Sequence, residues 1–204
     1  MKTLLVNGSP RQNGNTATAL AEVARTLEAE GIGSETFWIG AKPVRGCIAC
    51  GKCREAGRCV FDDDAANALA AKMAEADAVV VGSPVYYGQP NGALLALLQR
   101  VCFSASSAVS GKPVATVAVC RRGGATAAFQ CLNMPFQMLN CTIVGSQYWN
   151  IAYGREPGEA AQDAEGMQTM RTLARNLAWL LRIAAAGAVP RPAGEPWRPM
   201  HFIR

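Results

Sequence analysis

Histidine is almost missing: the 204 residues hold one, His201. Chemistry that relays protons through imidazole needs that side chain in the core. A Ser-His-Asp triad, a histidine-ligated zinc and a histidine relay therefore drop out. Charge is sparse too. Only 17% of residues are charged, the formal net charge is +5, and no basic run concentrates it. That distribution argues against a nucleic-acid partner and suits a small anionic ligand. No stretch offers the ~18 apolar residues needed to span a bilayer, so no membrane association is expected. Residues 123–154 are uncharged, but Gln, Asn and Pro interrupt them. The apolar run near the start, TLLV, is too short for a signal peptide. An enzyme with this composition would carry its chemistry on a cofactor.

What is abundant is apolar sequence, 50% of residues, in short runs that alternate with helical patterns. Strands are expected at Thr3–Asn7, Gly33–Ile39, Asp77–Ser83, Val114–Cys120 and Cys141–Tyr148. Helices are expected at Thr16–Glu30, from after Asp64 to Ala76, at Gly92–Phe103, at Ala125–Leu139 and at about Asp163–Ala186. Asp62, Asp63 and Asp64 would suit the positive end of the helix that follows them. Strict β-α alternation with continuously apolar strands implies an α/β fold, a doubly wound parallel sheet of five strands in the order 2-1-3-4-5. The expected domain covers 1–187, with a cysteine-rich insertion at about 44–61. A Pro-rich arm, 188–204, is expected to lie over a neighbour.

Ligands in such sheets sit at the carboxyl ends of the strands, so the loops there carry the functional signal. The first is Gly8-Ser9-Pro10-Arg11-Gln12-Asn13-Gly14-Asn15-Thr16, which follows a strand and opens a helix. Backbone amides freed by glycine, a helix start, short hydroxyl and amide side chains and one arginine make a phosphate site. It is not the nucleoside-triphosphate loop, because Asn15 stands where that loop has lysine, and the dinucleotide fingerprint is absent. A single terminal phosphate monoester fits best. The third loop, Ser83-Pro84-Val85-Tyr86-Tyr87-Gly88-Gln89-Pro90, offers planar faces for a flat heterocycle. The fourth, Cys120-Arg121-Arg122-Gly123-Gly124, places arginines where a reduced ring or a phosphate would need them.

Together, GSPRQNGNT after the first strand and SPVYYG after the third resemble the flavodoxin-like family of NAD(P)H-dependent FMN reductases. The resemblance implies that Ser9, Arg11, Asn13, Gly14, Asn15 and Thr16 hold the FMN phosphate. Pro84, Val85, Tyr86, Tyr87 and Gly88 would flank the isoalloxazine, with Arg121, Gly123 and Gly124 completing the site. It also implies NAD(P)H as electron donor, a homodimer or homotetramer, and no catalytic side chain beyond the flavin N5. Where relatives often have Lys and Asp in the helix after SPVYYG, this helix reads GALLALLQRV. It keeps Arg100 and has Gln99 in the acidic position.

Cysteine is the one chemically active residue in excess, with eight copies. Cys47, Cys50, Cys53 and Cys59 form C-x2-C-x2-C-x5-C, a spacing that lets one tight loop present thiolates to one face, as for a [4Fe–4S] cube. Arg45, Lys52, Arg54 and Arg58 are placed to offset thiolate charge. The segment resembles the compact cysteine motif of iron-sulfur flavoproteins. Free or redox-active thiols and a zinc site stay open beside the cluster. The loop is expected on the same rim as the phosphate loop. Cys102, Cys120, Cys131 and Cys141 read as core residues, which with the rest argues for a reducing, cytoplasmic location. Trp149 is a candidate lid, subunit contact or loop anchor. The function expected is an FMN-dependent oxidoreductase passing electrons from NAD(P)H to a small-molecule or protein acceptor. The rivals are an electron carrier joining FMN, a [4Fe–4S] cluster and ferredoxin-like partners, and a non-catalytic anion-binding module.

Overall fold

A computed structural model describes residues 1–196 and 198–200. Strands β1 (Lys2–Asn7), β2 (Gly33–Trp38), β3 (Ala78–Tyr86), β5 (Pro113–Cys120), β6 (Thr142–Ile143) and β7 (Ile151–Tyr153) form a parallel sheet. The two-residue β4 (Gln89–Pro90) turns back antiparallel on β3. The order β2-β1-β3-β5, followed by β6 and β7 along one edge of β5, is the expected doubly wound order.

Side chains alternate between two cores. Leu5, Val80 and Val117 face α1 (Asn15–Ala29) and the long α6 (Ala164–Ala186). Leu4, Val6, Val79, Val81 and Val114 face α3 (Ala66–Glu75), α4 (Gly92–Ser104) and α5 (Ala125–Met138). The short α2 (Cys53–Ala56) lies in the cysteine segment. Full burial of each aliphatic side chain is worth roughly 1.5–3 kcal/mol, so these two layers hold the sheet rim in place.

Two strand boundaries differ from expectation. The fifth strand is not continuous over Cys141–Tyr148. The chain leaves the sheet after Val144, whose N–H still donates to Val114 O (2.8 Å), and rejoins it at Ile151. In the inserted turns side chains bond locally, Ser146 Oγ to Tyr148 O (2.7 Å) and Asn150 Nδ2 to Val144 O (3.3 Å), Gly145 O accepts from Asn176 Nδ2 of α6 (2.9 Å), and Asn150 O returns to the sheet by accepting from Ala118 N (3.0 Å). The third strand is longer than expected and runs through Pro84 to Tyr86. Proline is tolerated there because its missing N–H falls at the strand's end, where the ladder stops.

Helix α6 starts at Asp163, whose carboxylate accepts from Gly166 N (2.9 Å) and Tyr153 N (2.8 Å), and stops at Gly187 with φ +61°. Beyond it, the Arg191 guanidinium donates to the Gly111 and Asn140 carbonyls of its own chain. The expected arm is thus tied to this chain at that point. Trp197 and residues 201–204, with His201, lie outside the described residues. Among the described residues no helix is long and apolar enough to cross a membrane.

Candidate cofactor cleft and cysteine pocket

The β1–α1 loop is shaped from its own base. Asn7 Oδ1 accepts from Ser9 N (3.1 Å), and Asn7 Nδ2 donates to Gln12 O (3.0 Å). Ser9 Oγ accepts from Arg11 N (3.1 Å), and Trp38 Nε1 donates to Ser9 O (2.7 Å). Gly8 admits no side chain, because a Cβ there would stand 2.4 Å from Leu94 Cδ2 and 2.7 Å from Gly82 O. Gly14 at the start of α1 supplies no side-chain cap, so the first-turn N–H groups are left for a ligand.

Asn91 fastens the neighbouring loop. Its Nδ2 donates to Gly8 O (2.7 Å), its N–H to Ser83 Oγ (2.9 Å), and its Oδ1 caps α4 at Ala93 N (3.2 Å). At the hairpin tip Tyr87 (φ 50°) and Gly88 (φ 78°) both take the left-handed region, as a tight two-residue turn requires. Gly88 then lies against Gly124: a Cβ on Gly124, whose φ is +85°, would stand 2.8 Å from Gly88 Cα.

These loops enclose a cleft of about 210 Å³ at the carboxyl rim of the sheet. Ser9, Arg11, Gly14, Asn15 and Thr16 form one wall, Pro84, Val85 and Tyr86 the second, and Arg121 the third. Nine of the expected site residues therefore converge. Five do not line it. Asn13 is exposed at the loop, Tyr87 stands fully exposed at the hairpin tip, Gly88 and Gly124 meet behind the wall beside Val85, and Gly123 is exposed with nothing close to it. Asn15 lines the cleft, but its side-chain amide is turned to the opposite segment. There it donates to Glu156 O (2.9 Å) and accepts from Ala160 N (3.0 Å).

The remaining wall was not anticipated. Gly154, Arg155 and Pro157 follow β7, and Glu159 Oε2 accepts from Arg155 N (2.7 Å) and Glu156 N (2.9 Å) to hold their turn. The Gly-Arg-Glu-Pro-Gly sequence signals a turn, and it reaches the rim because the last strand ends at Tyr153 and not at Tyr148. Cys120 is buried among core residues, as expected, and is also part of the site. It lines the cleft at the end of β5, its thiol pushed up by burial against the opposing pull of the Arg122 and Ala125 N–H groups. Trp149 lies half-exposed against Tyr148, 5.2 Å between centroids, and does not cover the cleft. Among the described residues, the charged side chains on the cleft are Arg11, Arg121 and Arg155; no carboxylate lines it, and Arg155 pairs at its edge with Glu156 (3.2 Å).

The four clustered cysteines do come together. Cys47, Cys50, Cys53 and Cys59 line one small concavity of about 20 Å³ with Phe61, Arg100 and Phe103, and all are free thiols. Left-handed turns at Ala49 (φ 53°), Gly51 (φ 71°) and Gly57 (φ 64°) bend the segment around. Among the described residues no three His, Cys, Asp or Glu side chains are grouped to hold a single metal ion. Four thiols on one concavity match a larger cluster in number and kind, and the concavity would have to open to admit it.

The charges around this pocket are arranged differently from expectation. Asp62, Asp63 and Asp64 do not serve only the next helix; each holds an arginine. Arg58 pairs with Asp62 (2.9 Å), Arg45 with Asp63 (3.3 Å), and Arg100 with Asp64. Hydrogen bonds from Asn67 and Arg58 hold the Asp62 carboxyl below its usual range. Arg45 and Arg58 are thus committed to carboxylates, and the cation at a cysteine sulfur is Arg100. The pocket is also not on the phosphate rim. The segment leaves β2 there, but its cysteines pack on the last turns of α4, and the two cavities share no lining residue.

The model of the family described as NADPH-dependent FMN reductase matches residues 1–156. An iron-sulfur flavoprotein of Methanocaldococcus jannaschii is 31% identical over 193 residues, covering 90% of this chain and 98% of that protein. Among solved structures, RosB with a bound 8-demethyl-8-formylriboflavin-5'-phosphate intermediate superposes with a TM-score of 0.72 at 15% identity. That match covers 100% of this chain and 96% of the other. A flavodoxin from the domain Archaea gives 0.61 at 14% identity, over 89% and 99%. The last two establish a flavodoxin-like fold.

Proposed function

The chain belongs to the NADPH-dependent FMN reductase family and is an FMN-dependent oxidoreductase; on that premise we propose that its rim cleft holds FMN and that NAD(P)H is its electron donor. The observation that carries the assignment is the cleft itself: three lining arginines, one of them paired with Glu156 at the edge, no carboxylate in the lining, and an uncapped helix start facing one space. When bound, FMN supplies hydride acceptance at N5 and onward transfer of electrons. Ser9, Thr16 and the first N–H groups of α1 would hold the phosphate dianion, where the helix dipole favours negative charge. Arg11, Arg121 and Arg155 balance the ligand's charge. Pro84, Val85 and Tyr86 give the ring an apolar wall with few rotatable bonds.

The cleft is smaller than the ~300–1,000 Å³ of a fully enclosing ligand pocket. A flavin anchored by its phosphate would leave part of its ring outside, open to a nicotinamide and to an acceptor. We take that acceptor to be a quinone, another flavin, a metal ion or a protein. All eight cysteines are unpaired, which supports a reducing, cytoplasmic setting. Exposed Tyr87, Tyr148 and Trp149 are the surfaces on which a homodimer or homotetramer would form.

A second reading is favoured by the cysteine pocket. Cys47, Cys50, Cys53 and Cys59 would hold a [4Fe–4S] cluster, which supplies one-electron transfer and would make the protein a carrier toward ferredoxin-like partners. Anaerobic addition of NADPH or NADH to FMN-loaded protein tests the first reading: the flavin absorbance bleaches with one or both. If dithionite bleaches it and neither nicotinamide does, the donor assignment fails and the carrier reading takes its place. Four irons and four sulfides per chain after anaerobic purification support the cluster; zinc, or neither element, overturns it.

A further inference from the structure

Arg100 has no role in the cofactor cleft, yet it is the largest charged side chain in the interior, with 1% of it exposed. A buried guanidinium is costly, and a hydrophobic residue of the same volume would commonly serve stability as well. Its charge is balanced by one carboxylate, that of Asp64, which is itself only 8% exposed. Its other N–H groups all point at the cysteine segment. Nε donates to Cys59 Sγ (3.3 Å), Nη2 to Phe61 O (2.9 Å), and Nη1 reaches Arg45 O at 3.5 Å. The planar fork fixes these groups in one geometry, which a flexible ammonium would not. One rigid side chain on α4 therefore ties both ends of the cysteine segment and the sulfur of its last cysteine. Cys59 is buried, whereas Cys47 and Cys50 are exposed and Cys53 is half-buried.

We propose that Arg100 is the positioning residue of the cysteine pocket: it presets Cys59 as the fixed member of the four, and its Nε–H···S bond raises the reduction potential of the cluster held there. The proposal rests on the iron-sulfur reading above. Reduction adds one electron and no proton, so the reduced form carries one more negative charge. A donor hydrogen bond to a ligand sulfur and a nearby cation both favour that form. The aspartates determine why Arg100, and not its neighbours, has this effect, since Arg45 and Arg58 face carboxylates in water.

The test compares the full-length wild type with Arg100→Lys and with the double variant Arg100→Met/Asp64→Asn, which leaves no unpaired buried charge. Retained FMN and far-UV circular dichroism report folding. The first readout is limited iodoacetamide labelling of chelator-treated protein, followed by peptide mass spectrometry. In the wild type Cys59 reacts at least tenfold more slowly than Cys47 and Cys50; in both variants that gap closes. The second is the midpoint potential after anaerobic loading with ferrous iron and sulfide, titrated with dithionite and followed by electron paramagnetic resonance. It falls in the double variant, with Arg100→Lys between it and the wild type. Folded variants with the wild-type potential and a Cys59 still protected overturn the proposal; if the double variant does not fold, the lysine variant decides by the same two readouts. Failure of the wild type to take up iron and sulfide overturns the cluster reading, and is distinguished by a labelling contrast that persists without metal.

Discussion

Gly123 and Gly124 are adjacent in sequence and opposite in what they tolerate. At Gly124 the backbone is left-handed, φ +85°, and a Cβ would lie 2.8 Å from Gly88 Cα and 3.2 Å from Gly88 N. At Gly123 no positive φ is required and a Cβ meets nothing within 4 Å. Alanine in the left-handed region costs about 1–2 kcal/mol. Overpacking against atoms that cannot rotate away adds about 1–3 kcal/mol, and these atoms are backbone. Gly124→Ala should therefore cost about 2–5 kcal/mol. For a domain of this size each kcal/mol lowers Tm by about 2–4 °C, so the expected drop is about 4–20 °C. Gly123→Ala should stay within about 0.5 kcal/mol of the wild type. If the hairpin yields locally, the cost appears at the cleft, because Pro84–Tyr86 shift with Gly88, and FMN binding weakens by about tenfold for each 1.4 kcal/mol. Scanning calorimetry of both variants, with flavin fluorescence titrations beside it, measures the two together. Wild-type Tm and wild-type FMN affinity in Gly124→Ala would refute the close approach of the two loops. Equal damage from Gly123→Ala would refute the assignment of that damage to the contact.

Three further outcomes follow from the geometry. Lys112 Nζ donates to three carbonyls at the end of α3, those of Met73 (2.6 Å), Ala74 (3.0 Å) and Ala76 (2.6 Å); Lys112→Met should lower unfolding free energy in urea by about 1–3 kcal/mol, and an unchanged midpoint would show the cap is redundant. Burial, helped by the neighbouring Cys141, pushes the Cys102 thiol up from 9.0 to about 11. The native state then holds this proton longer than the unfolded chain, so its stabilisation is complete below pH about 9 and is lost as pH rises toward 11, by about 2–3 kcal/mol. Cys102→Ala should flatten that alkaline loss in urea midpoints taken between pH 8 and 10.5, and a variant that tracks the wild type removes Cys102 as the cause. Arg155 is mostly exposed, so Arg155→Ala should weaken FMN binding only about threefold to tenfold at low salt and less at high salt; an unchanged Kd at low ionic strength would take Arg155 out of the phosphate's surroundings.

The alternation of apolar strands and amphipathic helices was enough to set the layers, the strand order and the rim that carries the site. Burial on both faces demands continuous apolar strands, and a parallel connection demands a crossover helix. The shape of the β1–α1 loop and its place on the cleft were equally legible, because a glycine-rich turn between a strand and a helix start is a local device written in consecutive residues. The cysteine spacing likewise announced one shared pocket. What the sequence left open depends on contacts between distant residues. Asn91 joins Gly8 to Ser83, and Gly88 meets Gly124; neither pairing has a local signature. The break in the fifth strand moved Gly154, Arg155 and Pro157 onto the cleft. The three aspartates looked like helix-start charges and turned out to hold three arginines, two from the cysteine segment and one from α4. Local chemistry determined which groups the protein has. Only tertiary packing decided which arginine reaches a sulfur, because a buried charge goes where a carboxylate and a fixed set of acceptors can receive it.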